Sequence, residues 1–286
     1  MKKLLLTGAN GFIGSYCLEK YKEKYEIQTF SFLRDSFDTL ECEGLDVVLH
    51  LSALVHQMGG ASEAEYERVN VTQTLHLAKK AKESGVGHFV FMSSVKVYGE
   101  ESDGVYTEAS ACLPQDAYGK SKLKAEDELL KLQDEHFRVS IVRTPIVYGY
   151  GVKANIASLV NLVKRVPVLP FGGIKNKRSM VYVGNLCHLT DAIVLQKSSG
   201  IFLAADDTPL STTKLIELIA NAIDKRVYLV RIPFFELLLK LLKPSFHKRL
   251  YGSLEVDNTM TKEKLNFKNR YSVEDGIKLM VKGEIF

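Results

Sequence analysis

The chain has 286 residues, 46% hydrophobic and 25% charged, the balance of a globular protein with one large domain or two smaller ones. A net charge of +4, with no basic run and no interleaving of basic and aromatic residues, reads as small and dispersed and excludes nucleic acid as an expected partner. No apolar stretch approaches the length of an integral membrane segment, and Leu4-Leu5-Leu6 stops at Thr7-Gly8, too soon for a signal peptide.

In chain order, residues 3–7 read as a short buried strand, 8–14 as a turn and 12–24 as a helix. Strands follow at 26–33 and 46–52. Helical periodicity runs through Tyr66, Val69, Leu75, Leu77, Ala78 and Ala81 over 63–84. A strand at 88–93, a charged amphipathic helix at 118–136 and a strand at 139–143 complete the first half. This alternation predicts an α/β fold, a Rossmann-type doubly wound parallel sheet covered on both faces. After Thr144 the chain turns to Gly- and Pro-punctuated segments and shorter helices such as 212–223, which predicts a smaller C-terminal substrate-binding domain. The apolar segment 234–242 lies between Pro233 and Pro244. A buried helix between two proline stops is expected there, ahead of one lying on a membrane surface.

The turn Thr7-Gly8-Ala9-Asn10-Gly11-Phe12-Ile13-Gly14 spaces glycines three apart between strand and helix. Gly8 and Gly11 permit tight turning and close approach of a pyrophosphate. Gly14 lets the helix pack on the sheet, and the first-turn N–H groups hold the anion. An acidic residue usually ends the second strand of an NAD site, but Ser31 stands there, with Arg34 three residues on. A hydroxyl plus a guanidinium suits a 2′-phosphate, so NADP(H) is favoured; NAD stays open if Arg34 only stacks on adenine.

Tyr118 and Lys122 are four residues apart, on one helix face, where the ammonium is expected to lower the phenol's pKa and fit it for proton transfer. Cys17, Cys42, Cys112 and Cys187 are scattered and read as reduced, packed thiols of a cytoplasmic protein, Cys112 being inert. His50 and His56 read as packing or cofactor-wall residues. No metal is assigned, because no His, Cys or carboxylate set has ligand spacing.

With these residues in view, the chain resembles the extended short-chain dehydrogenase/reductases, the nucleotide-sugar epimerase, dehydratase and reductase family. The likeness spans nearly the whole length, through TGANGFIG at 7–14, HLSA at 50–53, Asn70, SSVKVYG at 93–99, YGKSK at 118–122, RTPIVYG at 143–149 and RSMVYV at 178–183. It implies a dinucleotide-binding domain over 1–145, with a return segment near 179–205, and a substrate domain over 146–286. It also implies catalytic roles for Ser94, Tyr118, Lys122 and Asn70, and cofactor contacts from Leu51, Ser52, Ala53 and Pro145. Lys96, Asn155 and Arg178 fall to the substrate, with 151–156 and 170–173 lining nucleotide and sugar. Lys96 keeps two readings, a substrate contact or a solvent-facing lysine at a strand end.

SSVKVYGE, GVKANI and GGIKNKRS are most similar to bacterial polysaccharide-pathway members. The expected activity is therefore NADPH-dependent C4 reduction of a UDP-4-keto-6-deoxy-N-acetylhexosamine, and NAD-dependent 4-epimerisation of a UDP-sugar is the alternative. A non-catalytic dinucleotide sensor is a distant third. A homodimer is expected from the family and from apolar residues on the two long helices.

Overall fold

Three strands without polar alternation, Leu4-Leu5-Leu6, Val47-Val48-Leu49 and Phe89-Val90-Phe91, can lie only in the middle of a sheet buried on both faces. The computed structural model, which describes residues 1–55, 61–102 and 104–283, places them there. The first half runs β1 (Lys2–Thr7), α1 (Phe12–Tyr21), β2 (Tyr25–Phe30), β3 (Val47–His50), α2 (Glu63–Tyr66), α3 (Gln73–Glu83), β4 (His88–Ser94), β5 (Val105–Tyr106), α4 (Ala117–Leu132) and β6 (Arg138–Thr144). The second runs β7 (Ile146–Tyr148), α5 (Ala154–Arg165), β8 (Val168–Leu169), β9 (Met180–Tyr182), α6 (Val183–Gln196), β10 (Gly200–Leu203) and α7 (Thr212–Ala222). It ends with β11 (Tyr228–Leu229), α8 (Phe235–Leu242), α9 (Pro244–Tyr251), β12 (Glu255–Val256), α10 (Thr259–Leu265) and α11 (Val273–Lys282).

Six strands form one parallel sheet in the order β10-β6-β4-β3-β1-β2. Alternate residues feed opposite faces: Leu4 and Leu6 join Tyr16, Cys17 and Leu186 on one side, while Leu5, Val48 and Phe89 join Leu77, Ala78 and Leu129 on the other. The strand order reverses direction at β1/β3, which opens a crevice beyond the carboxyl ends of those strands. The return segment supplies β10, and α6 crosses back to α1, where the Tyr21 hydroxyl donates to the Cys187 carbonyl at 2.5 Å. Outside the sheet, β7 pairs with β9, β8 with β11 and β5 with β12.

Several expectations are corrected. The second strand ends at Phe30 because Asp35 folds back and accepts the Ser31 N–H at 2.8 Å, closing a turn. The helix α4 ends at Leu132, where Asp134 Oδ1 accepts the N–H groups of His136 and Phe137. Cys17 and Cys187 are joined as a disulfide, while Cys42 and Cys112 are free thiols. The helix between Pro233 and Pro244 forms but buries no residue. Among the described residues no helix is long and apolar enough to cross a membrane.

Candidate active site

β1 delivers the chain to the crevice at Thr7, and α1 begins at Phe12. Gly8 has φ +73°, and a Cβ there would lie 2.9 Å from the Ser52 nitrogen; a Cβ on Gly14 would overlap the Gly8 carbonyl. Gly11 caps α1 with no side-chain bond and no acidic residue in the first turn, so the positive end of the helix faces the crevice uncompensated. Asn10 and Gly11 are exposed at its rim. Close backbone approach, first-turn N–H groups at Phe12, Ile13 and Gly14, and a positive helix end fit a dinucleotide pyrophosphate.

The opposite wall follows β3. Buried His50 bridges Thr7 Oγ1 (Nδ1, 2.7 Å) and Thr74 Oγ1 (Nε2, 2.9 Å), and Thr7 in turn accepts the Ser52 N–H at 3.2 Å. Burial, aided by the Lys122 charge, drives His50 down to about 3, so it stays neutral and fixes Leu51, Ser52 and Ala53 beside Gly8. His56 lies outside the described residues. Asn70, expected as catalytic, sits on a π-helical turn at residues 67–72 that pushes it inward. Its Oδ1 accepts the Leu54 N–H at 2.8 Å, and its Nδ2 donates to Leu54 O and Ser121 Oγ at 3.0 Å each. Asn70 therefore ties the β3 loop to α4 beside the crevice.

α4 carries the tyrosine and lysine. Asp116 caps it by accepting the Gly119 N–H at 2.6 Å, and a Cβ on Gly119 would lie 2.7 Å from the Lys96 carbonyl, so only glycine lets the helix start this close to the turn after β4. Ser94 ends β4 beside it. Tyr118 is pushed up to about 12 by burial, with Asp116 and Tyr66 adding and a hydrogen bond from Ser94 opposing. This corrects the expected acidification by Lys122. The lysine's Nζ instead donates to the Met92 carbonyl at 2.8 Å and lies 4.4 Å from the Phe91 ring centroid. Burial lowers Lys122 to about 7 against the pull of Glu126. Lys96 leaves β4's line in a short turn and binds Glu100 and Asp116, each at 2.6 Å, so it braces the α4 cap. Pro145, buried just past β6, follows Thr144, whose hydroxyl donates to the Ser93 carbonyl at 3.0 Å.

Two features around the dinucleotide crevice escaped the sequence reading. Behind the site, Arg143 forks onto Glu126 (Nη2–Oε2, 2.6 Å), donates to the Tyr98 hydroxyl at 2.8 Å, and shares Glu126 with Ser93. This network binds β4, α4 and β6 where Ser94, Tyr118 and Lys122 stand. At the end of β2, the Asp35 carboxylate lies beside Ser31, while Arg34 is exposed. Only the four-residue return from Asp35 hinted at it.

A cavity of about 200 Å³ opens in the second half of the chain, lined by Arg178, Arg249, Asn155, Phe171, Met180 and Phe246 among others. Arg178 is partly buried and donates to the Arg249 carbonyl at 2.9 Å; burial lowers its pKa, with Glu101 and Glu100 opposing. Arg249 Nη1 reaches Asn155 Oδ1 at 3.5 Å. Two guanidiniums and an amide in an apolar pocket suit a diphosphate ester. Arg249 had no sequence signal. Of segment 170–173 only Phe171 lines this cavity, while Pro170, Gly172 and Gly173 border a neighbouring hollow with Arg231 and Tyr251.

A six-stranded parallel sheet with this glycine loop and crevice defines a dinucleotide-dependent enzyme of the Rossmann class. Residues 4–204 match the NAD dependent epimerase/dehydratase family, and the chain belongs to it. UDP-glucose 4-epimerase of Vibrio cholerae is 35% identical over 97% of this chain and 94% of its own length. N-acetyl-alpha-D-glucosaminyl-diphospho-ditrans,octacis-undecaprenol 4-epimerase of Escherichia coli O157:H7 is 24% identical over 81% of this chain and 75% of its own. Among solved structures, UDP-N-acetylglucosamine 4-epimerase from Methanobrevibacter ruminantium in complex with UDP-N-acetylmuramic acid superposes with a TM-score of 0.80, at 20% identity, over 98% of this chain and 97% of that one. The protein is thus an NAD(P)-dependent enzyme of the nucleotide-sugar epimerase/dehydratase type, not a non-catalytic sensor.

Proposed function

We propose that the chain is a UDP-sugar 4-epimerase that retains NAD. The observation that carries this reading is the Asp35 carboxylate folded against the end of β2, because a negative charge there favours ribose hydroxyls and repels a 2′-phosphate. The Vibrio cholerae relative supports the same activity. Gly8, Asn10, Gly11, Phe12, Ile13 and Gly14 would hold the pyrophosphate, with Leu51, Ser52, Ala53 and Pro145 along the crevice walls and Ser31 and Asp35 at the adenine ribose. The bound cofactor supplies the hydride acceptor and donor for the sugar's C4. Tyr118 Oη exchanges the proton of the C4 oxygen, Ser94 Oγ hydrogen-bonds that oxygen, and Lys122 holds the nicotinamide ribose. Arg178 and Arg249 fork onto the diphosphate, with Asn155 beside them.

The second reading is one-way reduction of a UDP-4-keto-6-deoxy-N-acetylhexosamine by NADPH, feeding surface polysaccharide synthesis. Two observations favour it. Arg34 is exposed beside Ser31, and Tyr118, at about 12, is a protonated donor of the kind a carbonyl reduction needs. Acid-denatured purified protein decides: near-stoichiometric NAD in the supernatant supports the epimerase. Absence of bound dinucleotide, with NADPH binding more than about tenfold tighter than NADH, would transfer the assignment to the reductase.

The domain division at 145/146 and the homodimer belong to the same proposal. A monomeric mass by light scattering at micromolar concentration would remove the dimer. Cytoplasmic placement loses the support of uniformly reduced thiols to the Cys17–Cys187 bond and rests on the nucleotide-linked substrate alone.

A further inference from the structure

The segment from Arg231 to Tyr251 folds into two short helices, α8 and α9, whose exposed side is the reverse of what a stable protein surface presents. Phe234, Leu237, Leu238, Leu241 and Leu242 recur at i, i+3, i+4, i+7 and i+8, one stripe along α8, and each is between 52% and 82% exposed. The helix has already satisfied its packing on the other side, through Phe235 and Leu239 against the core. Phe246 on α9 continues the apolar surface. A contiguous patch of large side chains of this kind marks a surface that meets something apolar.

Charge says what that is. Between 231 and 251 stand Arg231, Lys240, Lys243, Lys248 and Arg249 against a single carboxylate, Glu236. The segment carries a surplus of four positive charges in 21 residues. Lys248 lies 3.8 Å from Glu101 of the β4–β5 connection, which leaves Lys240 and Lys243 beside the stripe; across a two-fold interface these would face the same lysines, with Glu236 the one carboxylate of the segment to pair them. An anionic lipid surface has no such conflict, since it receives the stripe among its acyl chains and the lysines at its phosphates. Eight residues give α8 a length of about 12 Å, suited to lying in the interface and far too short to span.

We propose that the α8–α9 hairpin docks the enzyme on an anionic membrane surface, with the Phe234–Leu242 stripe inserted and Lys240 and Lys243 at the headgroups. Because Phe246, Arg249 and Leu250 of α9 also line the cavity that holds Arg178, docking sets that cavity beside the lipid surface. Membrane attachment is independent of the UDP-sugar reading.

Co-sedimentation with phosphatidylethanolamine vesicles containing about a quarter phosphatidylglycerol tests it, with pure phosphatidylcholine vesicles for comparison. The wild type is expected to pellet with the anionic vesicles and to be released by salt. Leu241→Glu/Leu242→Glu should abolish pelleting. Lys240→Gln/Lys243→Gln should weaken partitioning about 30-fold, about fivefold for each basic residue. Both double variants should keep the wild-type melting temperature and UDP-sugar turnover. Failure of the wild type to pellet at low salt, or equal pelleting of the variants, overturns the proposal. So does a dimer, seen by light scattering, that Leu241→Glu/Leu242→Glu splits, since the stripe would then belong to a second copy. The vesicle assay needs no sugar substrate, so failure of the epimerase reading, visible only in turnover, is told apart from failure of docking.

Discussion

At the scale of single residues, the charge state of Tyr118 and Lys122 is set by burial and not by their mutual spacing. Tyr118 and Lys122 share a helix face, as their i, i+4 relation implies, yet burial sets both charges: it raises the phenol to about 12 and lowers the lysine to about 7. Neither value follows from the spacing, because burial dominates both: Asp116 and Tyr66 add to the rise at Tyr118 against Ser94, and Glu126 only opposes the fall at Lys122. Tyr118→Phe should reduce kcat by at least about a hundredfold while leaving cofactor affinity unchanged, since only the proton-transferring oxygen is lost. Steady-state kinetics beside a cofactor titration checks this, and retention of a tenth of wild-type kcat would remove Tyr118 from its role. Lys122 makes a second, signed prediction. Folded, it loses its proton near 7; unfolded, near 10.5, so between these values the unfolded chain binds more protons. Stability of the cofactor-free protein should therefore climb as pH rises from 7 towards 10, and the penalty should be fully present below 7. Lys122→Met should melt higher than wild type near pH 7, with the gap closing by pH 10. Parallel melting curves across that window would sink the assignment.

At the scale of elements, the alternation of strands and helices was legible because each buried strand is a short apolar run, and the glycine turn was legible because its spacing has a steric cause at Gly8 and Gly14. What stayed hidden were side-chain contacts set by where the elements end. Asp35 folding onto Ser31, Lys96 bracing Asp116, and Arg143 gripping Glu126 each depend on where another element ends. The exposed face of α8 was misjudged for a related reason, since six apolar residues in eight cannot reveal which side lacks a neighbour. The Ser93–Glu126–Arg143–Tyr98 network is the joint between β4, α4 and β6, and both ions of its pair are almost wholly buried. Arg143→Met leaves the Glu126 carboxylate uncompensated and should cost about 3–5 kcal/mol in urea unfolding. Glu126→Leu/Arg143→Met, which removes both charges, should recover much of that loss. A single-variant cost below about 1 kcal/mol would mean the pair is not what fixes α4 against the sheet.

At the scale of the whole molecule, the sheet is closed by a segment that returns after a long excursion, and its tie to the start of the chain is covalent. Cys17 on α1 and Cys187 on α6 are 170 residues apart, a separation at which no spacing rule could pair them, which is why the reading of reduced thiols failed. Closing so long a loop removes about 5 kcal/mol of unfolded-chain entropy. For a chain of this length, that corresponds to a melting-temperature difference of up to about 8 °C between oxidised and reduced protein. The same bond ties the helix whose first turn faces the crevice to the return segment, so reduction should also loosen cofactor binding. Thermal melts with and without dithiothreitol, at fixed cofactor concentration, measure the effect. Cys17→Ser/Cys187→Ser should melt low and ignore the reductant, whereas Cys42→Ser/Cys112→Ser, altering only the free thiols, should respond like the wild type. Four reactive thiols in denatured, unreduced protein, or identical melts in both conditions, would show that the two helices are held by packing alone.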